Sequence, residues 1–155
     1  ALFAFSTSSS AATIPVTLKT ANQDLGVNQN VASFVVPVGA TINMDGTAIM
    51  QGLATVFIAQ MSGIDLTLFQ YMQVVLLAVA TSIGTAAVPS AGTITLIIIL
   101  QQFNLPLEAI GIILAVDRVL DMIRTSVNVT GDAAIACIVA KTENQLDENI
   151  FNSKS

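Results

Sequence analysis

The sequence predicts an all-α membrane protein made of two re-entrant helical hairpins, one broken transmembrane helix and one amphipathic C-terminal transmembrane helix. Three observations lead there. The 155 residues are 54% hydrophobic and only 10% charged, against about 25% charged in soluble domains. Between Asp65 and Glu108 the chain runs 42 positions without a charge. A further segment, from about Leu107 to Ala140, is long enough to cross a bilayer yet carries charges of both signs at helical spacing.

The same composition excludes several function classes. A net charge of −5 and the absence of any basic patch argue against a nucleic-acid partner. Histidine is missing altogether, which removes the usual general base and the commonest metal ligand. The single cysteine, Cys137, rules out an internal disulfide and reads as a small residue packed in a helix. Ala1 opens inside an apolar stretch, with neither the basic flank nor the cleavage pattern of a signal peptide. The expectation is therefore a C-terminal piece of a longer membrane protein, whose N-terminal helices would be its first packing partners.

In chain order, residues 1–24 place the run Ser6-Thr7-Ser8-Ser9-Ser10 between an apolar stretch and a helical arm over about 12–22. Neither flank offers the ~20 apolar residues of a span. A truncated re-entrant hairpin fits, its small polar tip buried in protein or lining a cavity. From 27 to 61 runs a spanning-length segment with one charge, Asp45, and the centre Gly39-Ala40-Thr41-Ile42-Asn43-Met44-Asp45-Gly46-Thr47. Poor helix formers rich in oxygen there predict a broken helix with carbonyls aimed at a cation.

After a polar connection at 62–66, the segment 67–103 holds two apolar arms around the small-residue stretch 81–92. Each arm falls short of a ~30 Å hydrocarbon core, so a second re-entrant hairpin is expected. Ala11-Ala12-Thr13-Ile14-Pro15 echoes Thr85-Ala86-Ala87-Val88-Pro89, a weak sign of inverted repeats. The last transmembrane helix is placed at 107–141, and 143–155 reads as a polar, disordered cytoplasmic tail. Lys19, Lys141 and Lys154 sort to one face and Asp65 and Glu108 to the other, which puts the C-terminus in the cytoplasm.

Within the last helix, Asp117, Asp121, Arg124, Asn128 and Asp132 follow at intervals of four, three, four and four, with Thr125 beside them. That spacing places them on one face. Charges at membrane depth cost about 2.5–3.5 kcal/mol each on insertion scales, so such a stripe faces a protein interior or a site. Asp121 and Arg124 then either neutralise each other as structural glue or bind something charged.

The motifs SSSAATIP (8–15), NMDGT (43–47), SIGTAAVPSAG (82–92) and DMIRTSVNVTGD (121–132), in this order and spacing, resemble those of the glutamate/aspartate:cation symporters, also called dicarboxylate/amino acid:cation symporters. The resemblance covers residues 1–142. It implies the C-terminal part of the transport domain of a homotrimeric, multi-pass protein of the plasma or inner membrane, moving elevator-fashion against a scaffold formed upstream. It implies symport of L-glutamate or L-aspartate with sodium, no enzymatic activity, and no cofactor beyond the co-transported sodium ions.

Position by position, Asp121 resembles the residue that takes the substrate ammonium and Arg124 the one that pairs with its side-chain carboxylate. Thr125, Asn128 and Thr47 resemble further substrate contacts, and Ser10, Val88 and Gly92 resemble positions offering backbone groups. Asp132 with carbonyls of Gly39, Asn43 and Asn128 resembles one sodium site. Backbone oxygens of Thr41, Ser82, Ile83 and Thr85 resemble a second, closed when the second hairpin folds down. Asn43 and Asp45 side chains resemble part of a third.

Where some relatives carry Arg, this chain has Ser8 and Met122, and Ala87 and Ser90 replace glycines of some relatives. Arg118, off the stripe, is expected to face another element. Alternatives are a proton-coupled glutamate/aspartate or C4-dicarboxylate symporter and, more distantly, a serine-dependent membrane hydrolase relying on Lys19 in place of histidine.

Overall fold

The computed structural model describes residues 1–153, and these are helical throughout apart from turns and one isolated antiparallel bridge. Helices α1 (Leu2–Thr7) and α2 (Ser10–Gln23) meet at Ser8-Ser9. Ser8 adopts φ 52° and ends α1, while the Ser9 hydroxyl accepts from the Ala12 amide at 3.2 Å and caps α2. The serine run therefore makes a turn between two helices that pack on each other.

The stretch from 27 to 61 divides into α3 (Gln29–Ile42) and α4 (Asp45–Met61). Asn43 and Met44 lie outside helical geometry at the junction (φ −89°, ψ 77° and φ −110°, ψ 48°), where the sequence placed the break. Arms α5 (Leu68–Ser82) and α6 (Ala91–Gln102) enclose a tip with no helix. Thr67 and Gln70 start α5 with a reciprocal capping box. A short 3-10 turn at Leu107–Ala109 leads into α7 (Ile110–Thr142), whose 33 residues are about 50 Å long at ~1.5 Å per residue.

Two apolar clusters hold these elements. Ile58, Leu96, Ile99 and Leu100 centre one, among α4, α5, α6 and the first turns of α7. Val27, Val36, Ala136 and Ala140 centre the other, among α2, α3 and the last turns of α7. The charged stripe of α7 lies between the two, where the Asn43-Met44 break, the Ser8-Ser9 turn and the tip between α5 and α6 converge on it. Ala21 and Ala140 share one cluster, so Lys19 and Lys141 flank the same end; Leu66 and Ala109 share the other, placing Asp65 and Glu108 opposite.

Among the described residues no helix is long and apolar enough to cross a membrane; the segment 27–61 is broken, as expected, at Asn43-Met44, and α7 is long enough but repeatedly charged. The expectation of a disordered tail is corrected, because 143–153 is ordered. Leu146 bridges Val27, the Asp147 amide donates to the Gly26 carbonyl at 2.8 Å, and the Asn28 amide donates to Gln145 at 3.1 Å. Gly26 (φ 72°) permits this, because a Cβ there would overlap the Asp147 carbonyl oxygen. Asp147 then caps α8 (Glu148–Asn152). Polar composition suggested disorder, but main-chain pairing supplies the order. Lys154, assigned to the same face as Lys19 and Lys141, lies outside the described residues.

Candidate functional site

Asp117, Asp121, Arg124, Thr125, Asn128 and Asp132 are all buried on one face of α7. The spacing in the sequence is sufficient to align them, and the neighbouring elements supply the burial. Arg118, off the stripe, lies exposed among the described residues. Buried charge is costly unless paired and hydrogen-bonded, and each member of the stripe has its own partners.

Arg124 folds back on Asp121. Its Nε donates to Asp121 Oδ1 at 3.1 Å and its Nη2 forms an ion pair with the same oxygen. Thr125 Oγ1 donates to that oxygen at 3.4 Å. The other carboxylate oxygen of Asp121 accepts the Ser90 amide at 2.8 Å, from the second tip. Nη1 of Arg124 is buried without a hydrogen-bond partner, and so is the Ser8 hydroxyl. Ser8 and Arg124 both line one cavity of about 10 Å³, together with Ser10, Thr47, Val88, Gly92, Asp121, Thr125 and Asn128. That volume is about one water. All eight residues expected around a substrate thus gather at one small polar cavity, with Ser8 added to them.

Close backbone approach makes this possible. A Cβ on Gly92 would overlap Nη1 of Arg124 and stand 3.0 Å from Thr47 Cγ2. A Cβ on Gly46 would come within 2.5 Å of the Arg124 carbonyl oxygen. Asn128 is tied to the start of α4: its Oδ1 accepts the Gly46 amide at 2.8 Å and its Nδ2 donates to Thr47 Oγ1 at 3.3 Å. The two tips meet over the cavity through Ala87, whose carbonyl accepts from the Ser9 hydroxyl at 2.9 Å and the Ala11 amide at 3.3 Å.

One helical turn below, Asp132 is almost fully buried and accepts from Asn43 Nδ2 at 3.0 Å. Gly39 packs against it so closely that a Cβ would fall 2.6 Å from Oδ1. Gly39, Asn43, Asn128 and Asp132 therefore form one oxygen-rich cluster at the helix break. The other expected cation ligands are more dispersed. Ser82, Ile83 and Thr85 follow one another at the end of α5, but Thr41 sits exposed on the last turn of α3 with its hydroxyl on the Val38 carbonyl at 2.9 Å. Asp45 is exposed beside Gly131.

Two polar residues were passed over at the level of sequence. Gln51, fully buried in α4, donates to the Gly92 carbonyl at 3.0 Å and to Thr95 Oγ1 at 2.6 Å, and accepts from Thr81 Oγ1 at 2.9 Å. It ties α4 to both arms of the second hairpin, and an amide within an apolar helix was the legible sign. Asp117, seen as part of the stripe but given no role, accepts from Ser90 Oγ at 2.6 Å and from Thr93 Oγ1.

The model of the sodium:dicarboxylate symporter family matches residues 1–142. An excitatory amino acid transporter of Caenorhabditis elegans is 50% identical over 136 residues, covering 88% of this chain and 27% of that protein. Human excitatory amino acid transporter 2 is 50% identical over 136 residues, 88% of this chain and 24% of the relative. Mouse excitatory amino acid transporter 3 is 49% identical over 140 residues, 90% and 27% of the two chains. The chain thus spans about a quarter of the length of these curated relatives.

Proposed function

The chain belongs to the sodium:dicarboxylate symporter family, and on that premise we propose that it is the C-terminal part of the transport domain of a sodium-coupled L-glutamate/L-aspartate symporter. One observation carries the substrate reading: a buried Asp121–Arg124 pair, with the guanidinium nitrogen Nη1 left without a partner, lining a cavity roofed by both tips. The pair is complementary to an acidic amino acid. The substrate ammonium takes Asp121, and its side-chain carboxylate takes the guanidinium, for which a planar fork is suited. Thr125, Asn128, Thr47 and the backbone around Ser10, Val88 and Gly92 orient the remainder.

Entry of such a ligand separates the pair, and the cavity widens by movement of the tips. A C4-dicarboxylate without an amine satisfies Arg124 but leaves Asp121 buried without its counter-charge, at a penalty of about 3–5 kcal/mol for a broken buried pair. An amino acid is therefore favoured over the plain diacid. Sodium fits the oxygen cluster of Gly39, Asn43, Asn128 and Asp132, since hard alkali cations take oxygen ligands. Thr41, Ser82, Ile83 and Thr85 would converge on a second ion as the hairpin moves, and Asn43 with Asp45 on a third completed from upstream helices.

Elevator motion, a homotrimer, a plasma- or inner-membrane location with a cytoplasmic C-terminus, and packing of the upstream helices in lipid complete the proposal. It assigns no catalytic residue. A serine-nucleophile reading lacks support, because the Ser9 hydroxyl serves Ala87 and Lys19 is exposed more than two turns along α2. The full-length protein in proteoliposomes should take up labelled aspartate down an inward sodium gradient, and Arg124→Cys should abolish uptake. Unchanged uptake by that variant refutes the assignment of Arg124.

A further inference from the structure

Asp117 is a buried carboxylate that neither the substrate nor the cation reading uses. We propose that it is a positioning residue that latches the second tip over the binding cavity through the hydroxyls of Ser90 and Thr93, independently of any ligand. This rests on the transport reading only for what the tip covers.

The local geometry begins with Ser90, which precedes α6 at φ 62°, ψ 0°. A residue with a Cβ enters that left-handed region only at an energetic cost, so something must hold it there. Three bonds do. The Ser90 amide donates to Asp121, the Ser90 hydroxyl donates to Asp117 Oδ2 at 2.6 Å, and the Thr93 hydroxyl donates to Asp117 Oδ1. Asp117 and Asp121 stand one turn apart on α7, so the tip is gripped at two points by one rigid helix. Asp117 also lies at the N-terminal turn of α6, where the helix dipole favours a negative charge.

The two grips differ in what a ligand does to them. Asp121 shares its carboxylate among Ser90, Arg124 and Thr125, and in the proposed mechanism it is recruited by the substrate ammonium. Among the described residues the Asp117 carboxylate accepts from the tip side alone, through Ser90 and Thr93, and its bonds survive that exchange. It therefore sets how readily the tip lifts, both before binding and after it. Charge-assisted hydrogen bonds are about twice as strong as neutral ones, so a carboxylate here slows opening more than an amide would.

The test is hydrogen–deuterium exchange of the ligand-free full-length protein in nanodiscs, comparing the parent with Asp117→Asn, Thr93→Val, Ser90→Gly and the double variant Asp117→Asn/Thr93→Val. Exchange over residues 84–94 should rise about tenfold in Asp117→Asn and by a smaller factor in Thr93→Val. The effects in the double variant should fall short of the product of the two single effects, and amides of α7 should stay as in the parent. Ser90→Gly should also exchange faster, although it relieves the positive φ. Tip exchange within about twofold of the parent, multiplicative effects in the double variant, or loosening of α7 as well would each overturn the latch. Release of labelled aspartate, timed in the same variants, should accelerate in parallel. A parent that binds no aspartate but shows the exchange pattern would defeat the transport reading and leave the latch standing.

Discussion

Arg124 is confined by contacts on three sides: the carboxylate of Asp121, the bare backbone of Gly92 and the start of α4 at Gly46. Arg124→Lys keeps the charge but not the planar fork, and uptake of acidic amino acids should fall at least about tenfold, read as kcat/KM. Gly92→Ala puts a methyl group where the guanidinium lies, so the apparent affinity for aspartate should drop on the order of a hundredfold, measured by isothermal titration. Asp132→Asn removes the only charge in the Gly39–Asn43–Asn128 cluster. The sodium concentration for half-maximal uptake should rise about tenfold, with the affinity for aspartate at saturating sodium little changed. An unmoved sodium dependence would place the first ion elsewhere.

At the scale of elements, the broken helix positions the site by close approach rather than by side-chain reach. Gly39 and Gly46 bring the ends of α3 and α4 onto Asp132, Arg124 and Asn128, which a regular helix of the same length would hold apart. Helices α5 and α6 are fastened by Gln51, and the tip between them by Asp117 and Asp121. The ordered tail depends on a single backbone conformation. Gly26→Ala should release the Val27–Leu146 bridge and α8, seen as faster proteolysis within 143–153, with the binding cavity undisturbed.

For the whole molecule, two apolar clusters grip opposite halves of α7 and leave its polar middle to the two tips and the helix break. Much of the outer surface is apolar, with Phe34, Leu53, Leu68, Phe69 and Leu76 all exposed. That surface suits lipid and the upstream helices of the proposed full-length protein. Uptake by that protein should follow an inward sodium gradient and fail under a pH gradient in sodium-free buffer; the reverse would favour the proton-coupled alternative. A cysteine at Ser153 in a Cys137→Ser background should react with an impermeant thiol reagent only from the cytoplasmic side, as the sorting of Lys19 and Lys141 requires.

By itself the sequence determined the helical class, a break within 39–47, the two tips and the alignment of the α7 stripe. Each follows from local rules: which residues form or interrupt a helix, and which fall on one face at 3.6 residues per turn. Only the tertiary structure decided who partners whom. The turn of Arg124 onto Asp121, three residues away, was one of two outcomes the spacing left open, whereas the role of Asp117 at the second tip, the Gln51 tie and the ordering of 143–153 join residues far apart in the chain. The spacing within α7 carries no information about what is packed against it, and polar composition carries none about the main-chain pairing that orders the tail. Those contacts exist because two apolar clusters on either side press the polar breaks onto one helix face, where buried charge is costly unless it is paired and hydrogen-bonded.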